Sequence, residues 1–185
     1  MTETLLRGRL LVASPALQDG NFDRTVVLVV EHNDEGALGV VLNRPSTTEV
    51  AEVLPRWAPL AADPEVVFVG GPVSPGAVIC LAETAPAHLD QSWTPVVGHL
   101  GVPELGPDPQ APPDGLARVR LFAGYAGWAA GQLEGELEVG GWYVVDARSE
   151  DPLSPAPDEL WSQVLRRQAG PLRRLAAFPV DPSSN

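Results

Sequence analysis

Read for the spacing of its apolar and polar positions, the chain is a succession of strands broken by short helices. Thr25–Glu31 (TVVLVVE) is its most β-branched run and predicts a central strand, because an unbroken apolar run with branched side chains suits a sheet buried on both faces. Gly8–Ser14 predicts a strand before it, stopped at Pro15, which has no N–H for a ladder. Residues 17–24 between them read as a polar loop. His32–Gly36 is turn chemistry and Ala37–Leu42 a further strand, so that 25–42 predicts a hairpin. Ser46 followed by Glu49 has the capping-box spacing, which predicts a helix with Val50, Val53 and Leu54 on one face and a stop at Pro55. Val66–Val69 and Ala77–Ala82 predict two more strands.

The second half is organised around 118–147 (RVRLFAGYAGWAAGQLEGELEVGGWYVVDA). Arg118 and Arg120 alternate with Val119 and Leu121 at a spacing of two, the period of a strand. Gly124, Gly127 and Gly131 break that period and predict a glycine-rich turn. Gln132–Val139 then predicts a helix with Leu133 and Leu137 one turn apart, and Trp142–Val145 a strand. Proline-rich stretches at 103–115 and 152–157 read as exposed loops. The last helix has Asp158 and Glu159 in its first turn and Arg166 and Arg167 in its last, matching the helix dipole at both ends. Trp161, Val164 and Leu165 give its buried face, Gly170-Pro171 its end, and 180–185 a frayed tail. The pattern predicts the strands and helices of one α/β domain of α+β character over 1–185.

Composition changes this picture in three places. Among 185 residues there are 20 prolines, and every one of the 12 basic residues is arginine, a bias we attribute to a GC-rich coding sequence. The net charge of −12 opposes nucleic acid and anionic membranes as partners. Cys80 is the single cysteine, so no internal disulfide can form, which is compatible with a reducing cytoplasm. No apolar run approaches the roughly 20 residues of a membrane span. Arg7 and Arg9 sit where a signal peptide needs its apolar core, so the N-terminus reads as part of the fold.

Six stretches carry a resemblance: GRLLVASP (8–15), FDRTVVLVVEH (22–32), GALGVVLNRP (36–45), VFVGGPV (67–73), GYAGWAAGQLEGEL (124–137) and the helix around Leu160-Trp161. In this order the chain resembles the YqgE/AlgH family of bacterial proteins. The resemblance implies a compact α/β protein with a mixed sheet and no assigned biochemical activity. Family members are often labelled transcriptional regulators. Where they often carry Gly-Pro, this chain has Ala129-Ala130.

Candidate chemistry concentrates at predicted strand ends. Arg24, Asn43, Arg44, Tyr125, Trp128 and Gln132 are expected to converge on one face as a surface for a protein or small ligand, since crevices at strand ends host sites in open α/β sheets. Arg24 and Arg44 offer planar donor forks for a carboxylate or phosphate. The structural alternative is local pairing and capping. Gly124-x-x-Gly127-x-x-x-Gly131 is neither G-x-G-x-x-G nor a P-loop, and Glu134 and Glu136 oppose a phosphate there, so tight packing is the preferred reading. Glu31, His32 and Glu35 are metal-ligand types but read as a solvated hairpin tip. Cys80 lies in an apolar run and reads as inert. His88 and His99 lack a nucleophile partner, and G-x-S-x-G is absent. Arg166, Arg167, Arg173 and Arg174 read as a solvated face. The expectation is a cytoplasmic binding or regulatory protein without cofactor, metal or catalysis. An enzyme with its site among the 22–24, 43–45 and 124–132 turns is the first alternative; a DNA-binding regulator is the second, opposed by the charge and by the lack of a recognition helix.

Overall fold

The computed structural model describes residues 5–17, 19–84 and 93–177. The tail at 180–185 and His88 lie outside these residues. Among these residues ten strands form one sheet: β1 (Arg9–Ala13), β2 (Val26–Asn33), β3 (Gly36–Val41), β4 (Pro45–Glu49), β5 (Val66–Val69), β6 (Val73–Thr84), β7 (Trp93–Val97), β8 (Leu100–Pro103), β9 (Leu116–Ala129) and β10 (Trp142–Asp146). The path is β10-β1-β2-β3-β9-β6-β8-β7, antiparallel throughout. β5 runs parallel to β9 beyond the end of β3 and carries β4 on its outer edge, which makes the sheet mixed. The helices are short: α1 (Val50–Val53), α2 (Gln132–Glu138), α3 (Leu160–Arg166) and α4 (Pro171–Leu175).

β2 shows why the sheet needs two cores. Its unbroken apolar run sends Val26 and Leu28 to one face and Val27 and Val29 to the other, and all four are fully buried. The first face is the inside of a curl. Leu10, Leu28 and Leu42 from one end of the sheet pack there with Val97 and Val102 from the other, and α3 closes the cluster with Trp161, Val164 and Leu165. At Gly8 (φ 79°) a Cβ would lie 2.5 Å from the Val96 carbonyl oxygen, so only glycine lets the ends of the curl meet. The outer face is covered in two separate places. α2 with Leu17 and Phe22 covers Val27, Val29 and Val41; α1 with Trp57 and Leu60 covers Val67, Cys80 and Leu121.

The structure departs from the sequence pattern at several points. The expected turn at 124–127 is the continuation of β9, a strand of 14 residues. Gly124 (φ 72°) sits where β6 bulges between Val73 and Val78, and its Cβ would meet the Gly71 carbonyl oxygen at 2.5 Å. The glycine is required by close approach of another strand rather than by reversal of the chain. Ser46–Glu49 is extended, not helical, since Ser46 Oγ accepts the Thr48 N–H at 3.1 Å, a local bond two residues on instead of a capping box. Asp158 and Glu159 belong to a 3₁₀ turn before α3, and Pro171 opens α4 as well as ending its predecessor. β7 and β8 escape the pattern because Pro95 and Pro103 demote them; as the last strands of the path they tolerate proline.

Arg120 departs furthest from the alternation that aligns it with Arg118. Arg118 is exposed and pairs with Glu83 at 2.9 Å. Arg120 is buried, its guanidinium 4.3 Å above the Phe68 ring, donating to the carbonyls of Ala62, Asp63, Pro152 and Ser154. Burial pushes this guanidinium down to about 10, while the nearby Asp63 charge acts to raise it. It remains charged at neutral pH and ties two loops to β9.

Cys80 is 4% exposed, and burial pushes its thiol up from 9.0 to about 12. The folded state therefore favours the protonated thiol. This contribution to stability is complete below pH 9 and is lost as the pH rises through the folded value near 12. At neutral pH a water-soluble thiol reagent should label Cys80 only as fast as the protein opens, and Cys80→Ala should cost about 1 kcal/mol in denaturant unfolding. Stoichiometric labelling within the mixing time would contradict this.

Candidate functional site

The loop before β2 and the end of β3 are built together. Asn43 accepts the Val26 N–H at 2.9 Å through Oδ1 and donates to the Arg24 carbonyl at 2.8 Å through Nδ2, so its amide extends the ladder where β3 stops. That bond holds Arg24 at φ 53°, a conformation side chains rarely adopt. The Arg24 guanidinium stacks 4.6 Å from the Trp161 ring. Arg44 follows at once. Its carbonyl accepts the Val69 N–H at 2.8 Å, its guanidinium donates to the Asp23 carbonyl, and its side chain is exposed.

Arg44 stands at one end of a groove in the gap between the two covers of the outer face. A chamber of about 370 Å³ is lined by Asn21, Arg44, Pro45, Val69, Gly71 and Pro72 among others. Val69 also lines a second chamber of about 410 Å³, walled by Val53, Leu54, Val67, Val78 and Ala123 with the hydroxyl residues Ser46 and Thr48. Val53, Val69 and Val78 are 48%, 47% and 46% exposed, although each lies in an apolar run that a sequence reading assigns to the core. The two chambers share Val69, so a cationic one and an apolar one lie side by side.

Trp128 and Gln132 belong elsewhere. The Trp128 and Trp142 indoles both donate to Glu136 Oε2 at 2.9 Å, and Gln132 Nε2 donates to Glu136 Oε1 at 3.1 Å. Phe22 packs on both indoles, with ring centroids 6.5 and 5.5 Å away. Gln132 Oε1 accepts the Ala129 N–H at 3.0 Å, so the turn after β9 is closed by its own side chain. His32 is not part of a solvated tip. Its side chain is 6% exposed, Nδ1 accepts the Leu6 N–H at 3.0 Å, and Nε2 therefore carries the proton shared with Glu134 at 2.8 Å. The Glu134 carboxyl is held below its usual range, first by its own backbone N–H and then by His32. Only the distant contact reveals this, and no local signal announces it.

The six predicted site residues therefore do not meet on one face. Arg24, Asn43 and Arg44 form one group around the 19–24 loop. Trp128 and Gln132 join α2 on the outer face, whereas Tyr125 packs against the inner core, because successive residues of a strand point to opposite faces. Among the described residues no group of three His, Cys, Asp or Glu side chains could hold a metal ion.

An AlgH-like family model matches residues 10–173. The chain belongs to the AlgH-like family. A UPF0301 protein of Streptomyces avermitilis is 50% identical to it over 190 residues, covering 100% of this chain and 98% of that protein. One from Rhodococcus jostii is 47% identical, covering 100% and 94%. Among solved structures, this AlgH-like chain is similar to a Corynebacterium diphtheriae protein, with a TM-score of 0.85, 34% identity, and 96% and 95% coverage. The solution structure of the AlgH protein from Pseudomonas aeruginosa follows with a TM-score of 0.68 and 32% identity, covering 98% of each chain. No helix among the described residues of this AlgH-like protein is long and apolar enough to cross a membrane.

Proposed function

We propose that this AlgH-like protein is a non-catalytic binding protein of the cytoplasm, whose ligand or partner surface is the groove from Arg44 past Val69 to Val53 and Leu54. The observation that carries the reading is the exposure of three valines from separate elements along one trough with an arginine at its end. A contiguous exposed apolar patch beside polar groups marks an interaction site, and a mostly apolar cleft with a few convergent polar groups is the common form of a ligand site. The cationic chamber takes its walls from GALGVVLNRP and VFVGGPV, two stretches on which the family resemblance rests. The single thiol is buried with a raised pKa, which favours binding over nucleophilic catalysis at this surface. The net charge of −12 weighs against DNA as the partner.

The neutral dye N-phenyl-1-naphthylamine tests this reading. It should brighten on the native full chain and lose that signal in Val69→Asp, with the melting temperature of the variant within about 3 °C of the parent, as expected for a surface position. Equal dye binding by both proteins would sink the proposal.

A further inference from the structure

We infer that the groove takes a small amphipathic monoanion, a straight-chain carboxylate whose head lies on Arg44 and whose aliphatic tail lies along Val69, Val78, Val53 and Leu54. The inference rests on the groove being the binding surface, and it adds the chemistry of the occupant.

Two chambers meeting at Val69 differ in character. The larger is walled by Val, Leu and Ala side chains, with Ser46 and Thr48 as its hydroxyl residues, and Ser46 Oγ is already engaged by the Thr48 N–H. Among the described residues that line it, only the buried Phe68 carries a ring on which an aromatic ligand could stack. The smaller carries Arg44, whose guanidinium gives one bond to the Asp23 carbonyl out of five N–H donors. A planar fork of this kind matches a carboxylate in a way that neither a hydroxyl nor a cation can. A dianionic phosphate fits less well, because a single arginine faces it in a chain of net charge −12, with Asp19 and Asp23 in the adjoining loop. An extended peptide is disfavoured at the neighbouring edge strand β4. Pro45 has no N–H to offer, and the Thr48 N–H is turned inward onto Ser46 Oγ, so the row of donors that strand addition needs is broken.

The test titrates hexanoate, octanoate and decanoate into the full chain, below their micellar concentrations, and follows displacement of the same neutral dye. Each added methylene pair should tighten binding about sixteenfold, that is about fourfold per CH₂, the equivalent of about 0.8 kcal/mol each. Octanoate should bind at least tenfold tighter than octylammonium and tighter than octyl phosphate. Arg44→Gln should weaken octanoate about tenfold and leave octanol unchanged, whereas Val78→Asp should abolish both. Dye binding without preferential displacement by carboxylates would overturn this inference and leave the groove reading standing. Absence of dye binding would remove both. Affinity independent of chain length, or octyl phosphate binding more tightly than octanoate, would also overturn the assignment.

Discussion

Arg120→Leu should lower stability by roughly 3 kcal/mol, counting about 1 kcal/mol for each lost hydrogen bond less the relief of no longer burying a charge. Four carbonyl oxygens depend on this guanidinium: Ala62 and Asp63 in the segment before β5, and Pro152 and Ser154 before α3. They belong to loops far apart in sequence that Arg120 ties to β9, beside a small buried cluster of Ala62, Leu100 and Leu153. Leucine would fill much of the space over Phe68 but supply no donor, and the carbonyls could recover partners only by admitting water or moving apart. In a chain of this length the loss corresponds to a fall of about 6–12 °C in melting temperature. Lysine should restore less than half, since one ammonium cannot span both loops as the planar fork does. The pair of variants separates the geometry of the fork from its charge. Differential scanning calorimetry reads the outcome, and a fall of under 3 °C for Arg120→Leu would show that the carbonyls find other partners.

Arg120 also marks the limit of what the sequence disclosed. Strand periodicity located β1, β2, β3, β5 and β10 because each signal is local: branched apolar runs bounded by turn residues. The same periodicity placed Arg118 and Arg120 together on a polar face, yet burial of Arg120 is decided by carbonyls some 30 and 60 residues away. Gly124 misled for a related reason. A glycine serves equally where a chain reverses and where another backbone approaches, and the approaching partner, Gly71, lies in the connection from β5 to β6. Ser46 and Glu49 had capping-box spacing, but pairing of β4 with β5 holds that segment extended. At the candidate site, Arg44 was legible as a polar residue at a strand end. The trough beside it was not. Val53, Val69 and Val78 come from a helix and two strands, and nothing in each short run says that the covers of the outer face stop short of them.

Glu136→Ala should cost about 2–3 kcal/mol and shift tryptophan emission to the red, without changing dye binding in the groove. The carboxylate receives two indole N–H groups and the Gln132 amide, and both indoles are nearly buried: Trp128 is 5% and Trp142 3% exposed. Hydrogen bonds to a charged acceptor contribute about 1.5–3 kcal/mol each, but Glu136 is itself partly exposed, so water replaces some of what the alanine removes. The indoles pack edge to face at 6.1 Å, with Phe22 against both, which anchors the 19–24 loop to α2. Loss of the carboxylate should therefore loosen α2 and the two indoles, while the 19–24 loop keeps its own bonds from the Phe22 and Asp23 N–H groups to the Asp19 carbonyl. Glu136→Gln keeps one oxygen for both indoles but turns an amide N–H₂ toward the Gln132 donor, and should cost about half as much. None of these side chains lines the groove, so stability and binding should separate in these variants, whereas in Val69→Asp binding should fail with stability kept. If Glu136→Ala lost dye binding in proportion to its melting temperature, the groove would depend on the aromatic corner, and Phe22 would be the first residue to test as the link.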